Sequence, residues 1–268
     1  MVNSKINQPI AAKQNLNFKT LKQLDSEISK CKTCPRLVDW REEIGQTKRL
    51  AYKSDKYWAK PVPGFGENDA KILVVGLAPG AHGANRTGRV FTGDRSGDWL
   101  YKALFDVGLA KQPESISIDD GQKLFKTRIT CAVHCAPPGN KPLPDEIANC
   151  RSWFSNEIRI LWPNLKVIVA LGRLAWDCVI KELNSELVES SQLETSKKLK
   201  TSKTTKTLKK LKVKPKFGHG ASFKIKGQDG HTRLILASFH PSQQNTFTGK
   251  LTRKQLQKVF EKASRFAH

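Results

Sequence analysis

Four short runs of apolar and β-branched residues constrain the fold more than any other feature of the chain. They span residues 71–77 (KILVVGL), 127–133 (TRITCAV), 166–171 (KVIVAL) and 233–239 (RLILASF). Each run is too short for a helix, and near-continuous apolar runs are typical of parallel strands covered on both faces. Segments with helical spacing lie between them, at 96–107, 144–160 and 173–183. This alternation predicts an α/β protein with a parallel sheet between layers of helices.

Two further helices are predicted at the ends of this pattern. Phe18, Leu21, Leu24 and Ile28 recur on one helical face over residues 18–29, and a second helix is expected over 252–266. We predict one domain over residues 1–268, interrupted by a low-complexity lysine-rich insertion at about 190–216. Residues 195–216 contain ten lysines and no acidic side chain, so they can bury little apolar surface and are expected at the surface.

The charge balance indicates a polyanionic partner. The chain has 47 Lys and Arg against 24 Asp and Glu, a formal charge of +23, and it stays basic without the insertion. Cationic surfaces gain affinity for DNA or RNA by releasing counterions. No apolar run approaches the length of about 20 residues that spans a bilayer, and the first residues (MVNSKINQPI) do not show an apolar stretch followed by a small-residue cleavage site. We therefore expect a cytoplasmic, nucleoid-associated protein with no membrane partner.

Four of the six cysteines form a candidate metal site. Cys31 and Cys34 have C-x2-C spacing, and Cys135 and Cys150 flank a loop rich in Pro and Gly. Sets of four cysteines bind either zinc or an iron-sulfur cluster, and the spacing does not distinguish the two. Cys131 lies in a predicted strand and Cys178 in a predicted helix, so both are expected to be ordinary buried cysteines.

A long glycine-rich loop follows the first predicted strand. It covers residues 76–94 and matches neither the P-loop pattern nor the dinucleotide-binding pattern, which disfavours a nucleotide site. Open α/β sheets place ligands at the carboxyl ends of their strands. The polar and aromatic candidates in this loop are His82, Asn85, Arg86, Arg89, Phe91 and Asp94. The last strand ends near His240, so both loops are expected to face one cleft.

Three long motifs resemble the uracil-DNA glycosylase superfamily, and within it the iron-sulfur type called family five or type B. They are GLAPGAHGANRTGRVFTGDRSGDWLY from Gly76, CAVHCAPPGNKPLPDEIANC from Cys131 and SFHPSQQNTFTGKLT from Ser238, preceded by CKTCPRL. The resemblance implies a three-layer α/β/α sandwich with a central four-stranded parallel sheet. It also implies hydrolysis of the bond between a deaminated base and deoxyribose, and a 4Fe-4S cluster held by Cys31, Cys34, Cys135 and Cys150.

The resemblance also assigns roles to single residues. A base inside a duplex must be flipped out to be reached. Phe91 matches the stacking aromatic, and His240 matches the histidine that stabilises charge on the leaving base. Gly76, Ala78, Pro79, His82 and Cys131 would complete the substrate site. The loop after His240 matches the segment that enters the minor groove, with Phe247 as the candidate wedge. The DNA-binding candidates there are Ser242, Gln243, Asn245 and Phe247.

Two positions differ from other branches of the superfamily. Leu77 and Ala78 stand where a polar residue would position the water. The candidates to orient it are Asn85 and Asp94, and the alternative is that an oxocarbenium-like sugar forms before water attacks. Cys131 replaces an asparagine that reads the uracil edge, and a thiol is a poor donor. A range that includes hypoxanthine or xanthine is therefore expected.

We predict a monomeric, monofunctional glycosylase that acts on double-stranded DNA containing uracil or another deaminated base and leaves an abasic site. The alternative is a non-catalytic damaged-DNA-binding module with a structural metal cluster.

Overall fold

A computed structural model describes residues 17–184 and 215–268 of the chain. The predicted lysine-rich insertion lies outside these residues except for positions 215 and 216. The helices are α1 (Leu21–Ile28), α2 (Pro35–Thr47), α3 (Ala84–Thr87), α4 (Arg95–Asp106), α5 (Pro144–Leu161), α6 (173–184), α7 (Gln243–Phe247) and α8 (Arg253–Ala267). The strands are β1 (Phe65–Gly66), β2 (Ile72–Gly76), β3 (Thr127–Cys131), β4 (Val167–Leu171), β5 (Ser222–Lys226) and β6 (Thr232–Ser238).

The strands form one sheet in the order β1-β3-β2-β4-β6-β5. The four central strands β3, β2, β4 and β6 run parallel and coincide with the four apolar runs of the sequence. The edge strands β1 and β5 are antiparallel to their neighbours and were not predicted. β1 has only two residues, and β5 (SFKIK) has a lysine-rich, mostly exposed sequence that gives no signal of a buried strand.

Helices cover both faces of the sheet, so the predicted three-layer α/β/α architecture is confirmed. Alternate strand residues point to opposite faces: Val74 and Val169 lie in one apolar cluster, and Val75 and Ile168 lie in the other. Helices α4 and α8 supply the first cluster, whereas α1, α5 and α6 supply the second. Within the two described ranges, no helix is both long and apolar enough to span a lipid bilayer.

Helix starts near the carboxyl ends of the parallel strands are capped by side chains. Asp94 caps α4 by accepting a hydrogen bond from Gly97 N at 2.9 Å. Thr252 and Gln255 form a capping box at the start of α8, in which each side chain accepts from the backbone N–H of the other residue. These caps satisfy backbone donors that a helix start leaves unpaired. They also fix where the loops from β2 and β6 enter their helices.

Candidate active site and cysteine cavity

Four of the predicted site residues come together at the carboxyl edge of the parallel sheet. The rings of Phe91 and His240 have centroids 5.8 Å apart and are tilted by 33°. A Cβ atom at Gly76 would lie 2.8 Å from the Phe91 ring and 3.3 Å from Cys131 Sγ. Gly76 and Cys131 are the last residues of neighbouring strands β2 and β3. The glycine therefore lets an aromatic ring pack directly on the ends of two strands.

The His240 backbone is held from two sides. Asn245 Nδ2 donates a hydrogen bond to the His240 carbonyl at 2.8 Å. Gly172, with φ of +95°, passes so close that an added Cβ would lie 3.2 Å from His240 Cβ. Burial lowers the pKa of His240 from 6.5 to about 4. The imidazole is therefore neutral near pH 7 and carries one N–H.

Asp94 lies beside the glycine-rich turn that follows β2. One carboxylate oxygen caps α4, while the other, Oδ2, lies so close to Gly83 that any side chain there would collide with it. A Cβ at Gly80 would lie 3.0 Å from the same oxygen. Burial raises the pKa of Asp94, and backbone N–H donors at Gly97 and Ser96 oppose that rise. The carboxylate is thus within the loop expected to border the cleft.

Asn85, the other predicted water-orienting residue, lies in the short helix α3 that follows the same turn. It is fully buried, and its Nδ2 faces the Arg41 carbonyl of α2 at 3.3 Å and the Ala81 carbonyl at 3.4 Å. Its amide thus packs the short helix α3 against α2 inside the molecule. Among the described residues Asn85 Oδ1 is buried without a hydrogen-bond partner, and the roles of Asn85 and Asp94 with the water stay predictions.

His82 is half-buried and oriented by a tyrosine. Tyr57 Oη lies 3.0 Å from His82 Nδ1, and Arg86 Nε donates to the His82 carbonyl at 2.8 Å. The pKa of His82 is lowered by burial and by the charges of Arg49 and Arg86. Ala78 and Pro79, predicted to line the substrate site, lie in the loop after β2, separated from it by Leu77. Ala78 packs against the apolar group around the cysteines, and Pro79 is buried.

The predicted DNA-binding residues lie on the loop and short helix between β6 and α8. Ser242 precedes α7, Gln243 is its exposed first residue, and Asn245 is committed to the His240 carbonyl. Phe247 ends α7 with 70% of its surface exposed. The Arg95 guanidinium carbon lies 5.8 Å from the centre of that ring. A large aromatic side chain thus projects into solvent near a cation.

The four predicted metal-ligating cysteines line a single cavity. Cys31 and Cys34 come from the segment before α2, Cys135 follows β3, and Cys150 lies in α5. All four are free thiols, and burial raises the pKa of Cys34, Cys150 and, to about 11, Cys135. In the described part of the chain, no three His, Cys, Asp or Glu side chains converge closely enough to hold one metal ion.

Nitrogen donors point at three of these sulfur atoms. Arg41 Nη1 lies 3.0 Å from Cys135 Sγ, the His134 backbone N lies 3.3 Å from Cys150 Sγ, and Asn149 Nδ2 lies 3.7 Å from Cys34 Sγ. Arg41 is itself buried, at 2% exposure. Such donors stabilise negative charge on sulfur. These donors partly offset the rise in thiol pKa that burial causes, as they would for cysteines bound to a metal as thiolates.

Several residues that support the candidate site were not predicted from the sequence. Arg41 lies at the cysteine cavity, whereas Tyr57, Gly172 and His219 contact His82, His240 and Phe239. A weak signal was present for Arg41, because it follows the buried Leu37 by one helical turn and so occupies the interior face of α2. Tyr57 lies in a loop, and nothing in the sequence connects it with His82.

Comparisons with known proteins identify the family. The model of the uracil DNA glycosylase superfamily matches residues 63–264. The type-5 uracil-DNA glycosylase of Mycobacterium tuberculosis is 42% identical over 245 residues, which cover 91% of this chain and 81% of that protein. The Thermus thermophilus type-5 enzyme is 43% identical over 90% of this chain and 95% of its own length. A type-4 enzyme of Archaeoglobus fulgidus is 30% identical over 50% of this chain and 59% of its own length. The chain belongs to the uracil-DNA glycosylase superfamily.

Proposed function

We propose that the protein removes uracil from double-stranded DNA by hydrolysing its N-glycosidic bond and leaves an abasic site. The observation that carries this proposal is the convergence of Phe91, Gly76, Cys131 and His240 at one edge of the sheet. An aromatic face beside a neutral imidazole suits a flat, polar base. The names of the relatives, type-5 uracil-DNA glycosylases, support the same reaction.

The target base would leave the duplex before it reacts. The end of β2 lies inside the protein, where a stacked and paired base cannot reach it, so the nucleotide must be flipped out. Phe91 would stack on the extruded base. Phe247 projects from the loop after His240 and would enter the space that the base vacates, because apolar wedges unstack neighbouring base pairs.

His240 would stabilise the leaving base. Water adds its oxygen to C1′, the bond from C1′ to the base nitrogen breaks, and its electron pair leaves with uracil as an anion. Neutral His240 would donate its single N–H to a carbonyl oxygen of that anion. Loss of one such donor typically costs about two to three orders of magnitude in rate.

Asp94 would orient the water and accept its proton. Its Oδ2 packs against the turn at Gly80 and Gly83, where the absence of side chains makes space for the carboxylate itself. Burial raises the pKa of Asp94, which makes the carboxylate a better proton acceptor than an exposed aspartate.

We further propose that hypoxanthine and xanthine are substrates as well. Cys131 is buried beside the Phe91 ring at the end of β3. Burial raises the pKa of the Cys131 thiol, so the sulfur stays protonated and forms only weak hydrogen bonds. A thiol that forms only weak hydrogen bonds would discriminate little between bases, so the site would accept other deaminated bases besides uracil.

The four cysteines of the cavity would hold a 4Fe-4S cluster. They fit this group because four free thiols line one cavity and nitrogen donors face three of their sulfur atoms. The four cysteines would each bind a different iron of the cluster, so they need not converge on one ion. When bound, the cluster would join three segments far apart in the sequence and contribute folding energy.

Metal content and colour test the cluster. Protein purified without oxygen should be brown and contain iron and sulfide, and Cys34→Ala should lower the soluble yield more than the specific activity of what folds. Colourless protein that contains zinc and remains active would contradict this assignment. Cys178→Ala, at a cysteine outside the cavity, is the matched control and should retain the iron.

Base release from defined duplexes tests the function. Duplexes with uracil, hypoxanthine, xanthine or thymine opposite each normal base are incubated with the protein and assayed for abasic sites. We expect free uracil without strand cleavage. His240→Ala should reduce release about a hundredfold or more while duplex affinity falls much less. Tight binding without base release would favour the non-catalytic DNA-binding module instead.

A further inference from the structure

His219 lies at the end of the β6 strand, next to the residue that precedes His240. The antiparallel pairing of β6 ends with two backbone bonds, Ala237 N to Ala221 O and Gly220 N to Ala237 O, each 2.8 Å. The next inward donor on this side of β6 is Phe239 N. No backbone oxygen of the described residues accepts a hydrogen bond from this N–H. The His219 side chain takes its place: Phe239 N donates to His219 Nδ1 at 3.2 Å.

The hydrogen bond fixes the state of the imidazole. A backbone N–H can only donate, so Nδ1 must be unprotonated and Nε2 must carry the proton of the neutral ring. Burial lowers the pKa of His219, and a hydrogen bond with the Gln255 backbone on α8 opposes that shift. The ring centroids of His219 and Phe239 are 5.3 Å apart. His219 thus joins the end of β6 to the start of α8.

This contact completes the support around His240. Asn245 holds the His240 carbonyl, and Gly172 packs behind its Cβ atom. His219 holds the preceding peptide through the Phe239 N–H. Without it, Phe239 N would lose its acceptor at a partly buried position, and the chain could rotate at the peptide that sets the direction of the His240 side chain.

We propose that His219 is a positioning residue that orients His240 by accepting the Phe239 N–H at Nδ1. The inference rests on the proposed role of His240 at the leaving base. A shift of about 1 Å in a catalytic group can cost up to about a hundredfold in rate. Binding of the duplex depends on a wider surface and should be affected much less.

Three substitutions at His219 distinguish the effect of the hydrogen-bond acceptor from the effect of the volume of the ring. Asparagine places a side-chain oxygen about where Nδ1 lies, glutamine places one about where Nε2 lies, and alanine has no acceptor. We expect His219→Ala and His219→Gln to lower single-turnover uracil release at saturating enzyme about ten- to a hundredfold. His219→Asn should restore release to within a few-fold of the unmodified protein. His231→Ala, at the exposed hairpin on the opposite end of the same strand pair, is the matched control.

Several outcomes would overturn the inference. Equal rates for the asparagine and alanine variants would mean that the acceptor at Nδ1 is irrelevant, and a loss confined to duplex affinity would make His219 a binding contact. Unchanged release in His219→Ala while His240→Ala is inactive would refute this positioning role alone. Unchanged release in His240→Ala would refute the role of His240 on which the inference rests, and absence of release by the unmodified protein would refute the proposed function itself.

The unmodified protein gives an independent measurement if the alanine variant fails to fold. Nitrogen NMR of ¹⁵N-histidine protein distinguishes the two neutral tautomers, and His219 is identified as the signal missing from His219→Asn. We expect an unprotonated, hydrogen-bonded Nδ1. A proton on Nδ1 would overturn the proposal.

Discussion

Phe91 faces His240 from a backbone conformation that non-glycine residues rarely adopt. The two ring centroids are 5.8 Å apart, and Phe91 has φ of +51°. The first turn of α4 packs against the Phe91 carbonyl, so closely that Gly97 has no room for a side chain. A positive φ at such a residue costs of order 1 kcal/mol or more and persists only where its surroundings enforce it. The start of α4 therefore holds the aromatic ring over the end of β2.

Gly76→Ala should damage the chemistry more than the fold. The added methyl would lie 2.8 Å from Phe91 Cε2 and 3.3 Å from Cys131 Sγ, so the ring must move away from the end of the strand. We expect a loss of about 1–3 kcal/mol in the free energy of unfolding. Single-turnover uracil release should fall about tenfold or more, since a displaced stacking ring misplaces the base.

Gly108→Ala is the matched control for this substitution. Gly108 follows α4 with φ of +74°, and no atom lies within 4 Å of an added Cβ. Alanine there should cost about 1 kcal/mol through backbone strain alone and leave base release unchanged. If both variants lose stability equally and neither loses activity, the contact between Gly76 and Phe91 does not define the base site.

His240 should make the fold sensitive to acid. Its pKa is about 4 in the folded protein and 6.5 as a free side chain, so the unfolded chain binds a proton in this range while the folded chain does not. The stability contributed by the neutral imidazole is complete above pH 6.5 and is lost as the pH falls towards 4. As the pH falls, the unfolding free energy of the unmodified protein should therefore decrease more steeply than that of His240→Gln. The two slopes should differ by at most about 1.4 kcal/mol per pH unit. Urea unfolding at several pH values measures both slopes, and parallel slopes would refute the shift.

Cys131→Asn should narrow the substrate range towards uracil. An asparagine side chain offers a donor and an acceptor to the base edge, whereas the buried thiol offers only weak ones. The ratio of single-turnover rates on uracil and hypoxanthine duplexes should rise about tenfold, the discrimination expected from one hydrogen bond of about 1.4 kcal/mol. Cys178→Ser, on α6, should leave the ratio unchanged. An unchanged ratio in Cys131→Asn would place this residue outside the base site.

The central fold was predictable because its signals are local. The parallel strands β2, β3, β4 and β6 are short apolar runs, and each lies within a residue or two of its predicted bounds. Helix α5 begins at Pro144, a residue suited to a first helical turn. The edge strand β5 was missed because its exposed Lys224 and Lys226 alternate with Phe223 and the buried Ile225, so it lacks the continuous apolar run of the four central strands. Edge strands commonly contain charged residues in this way, so their sequences are easily mistaken for those of loops.

The candidate site was predictable where its residues follow the carboxyl ends of predicted parallel strands, as His240 does after β6. Phe91 and Asp94 lie in the same loop as Gly76, and that loop was expected at the carboxyl end of β2. Contacts between distant segments left no such signal: Asn85 lies beneath α2, and His219 reaches the end of β6 from beyond the lysine-rich insertion. Side-chain hydrogen bonds across such separations depend on packing, and packing is not visible in periodicity or spacing.

Phe247→Ala should weaken the flipped-base complex without destabilising the protein. The side chain is 70% exposed, so its removal costs the folded state little apolar burial. If Phe247 occupies the space left by the base, its loss removes a stacking contact of about 1–3 kcal/mol, and release from paired uracil should fall about ten- to a hundredfold. Release from single-stranded DNA should fall much less, since no neighbouring pair must be unstacked. Phe105→Ala, at the opposite end of α4 and 41% exposed, should affect neither substrate. Equal losses on single and double strands would make Phe247 a general DNA contact and not a wedge.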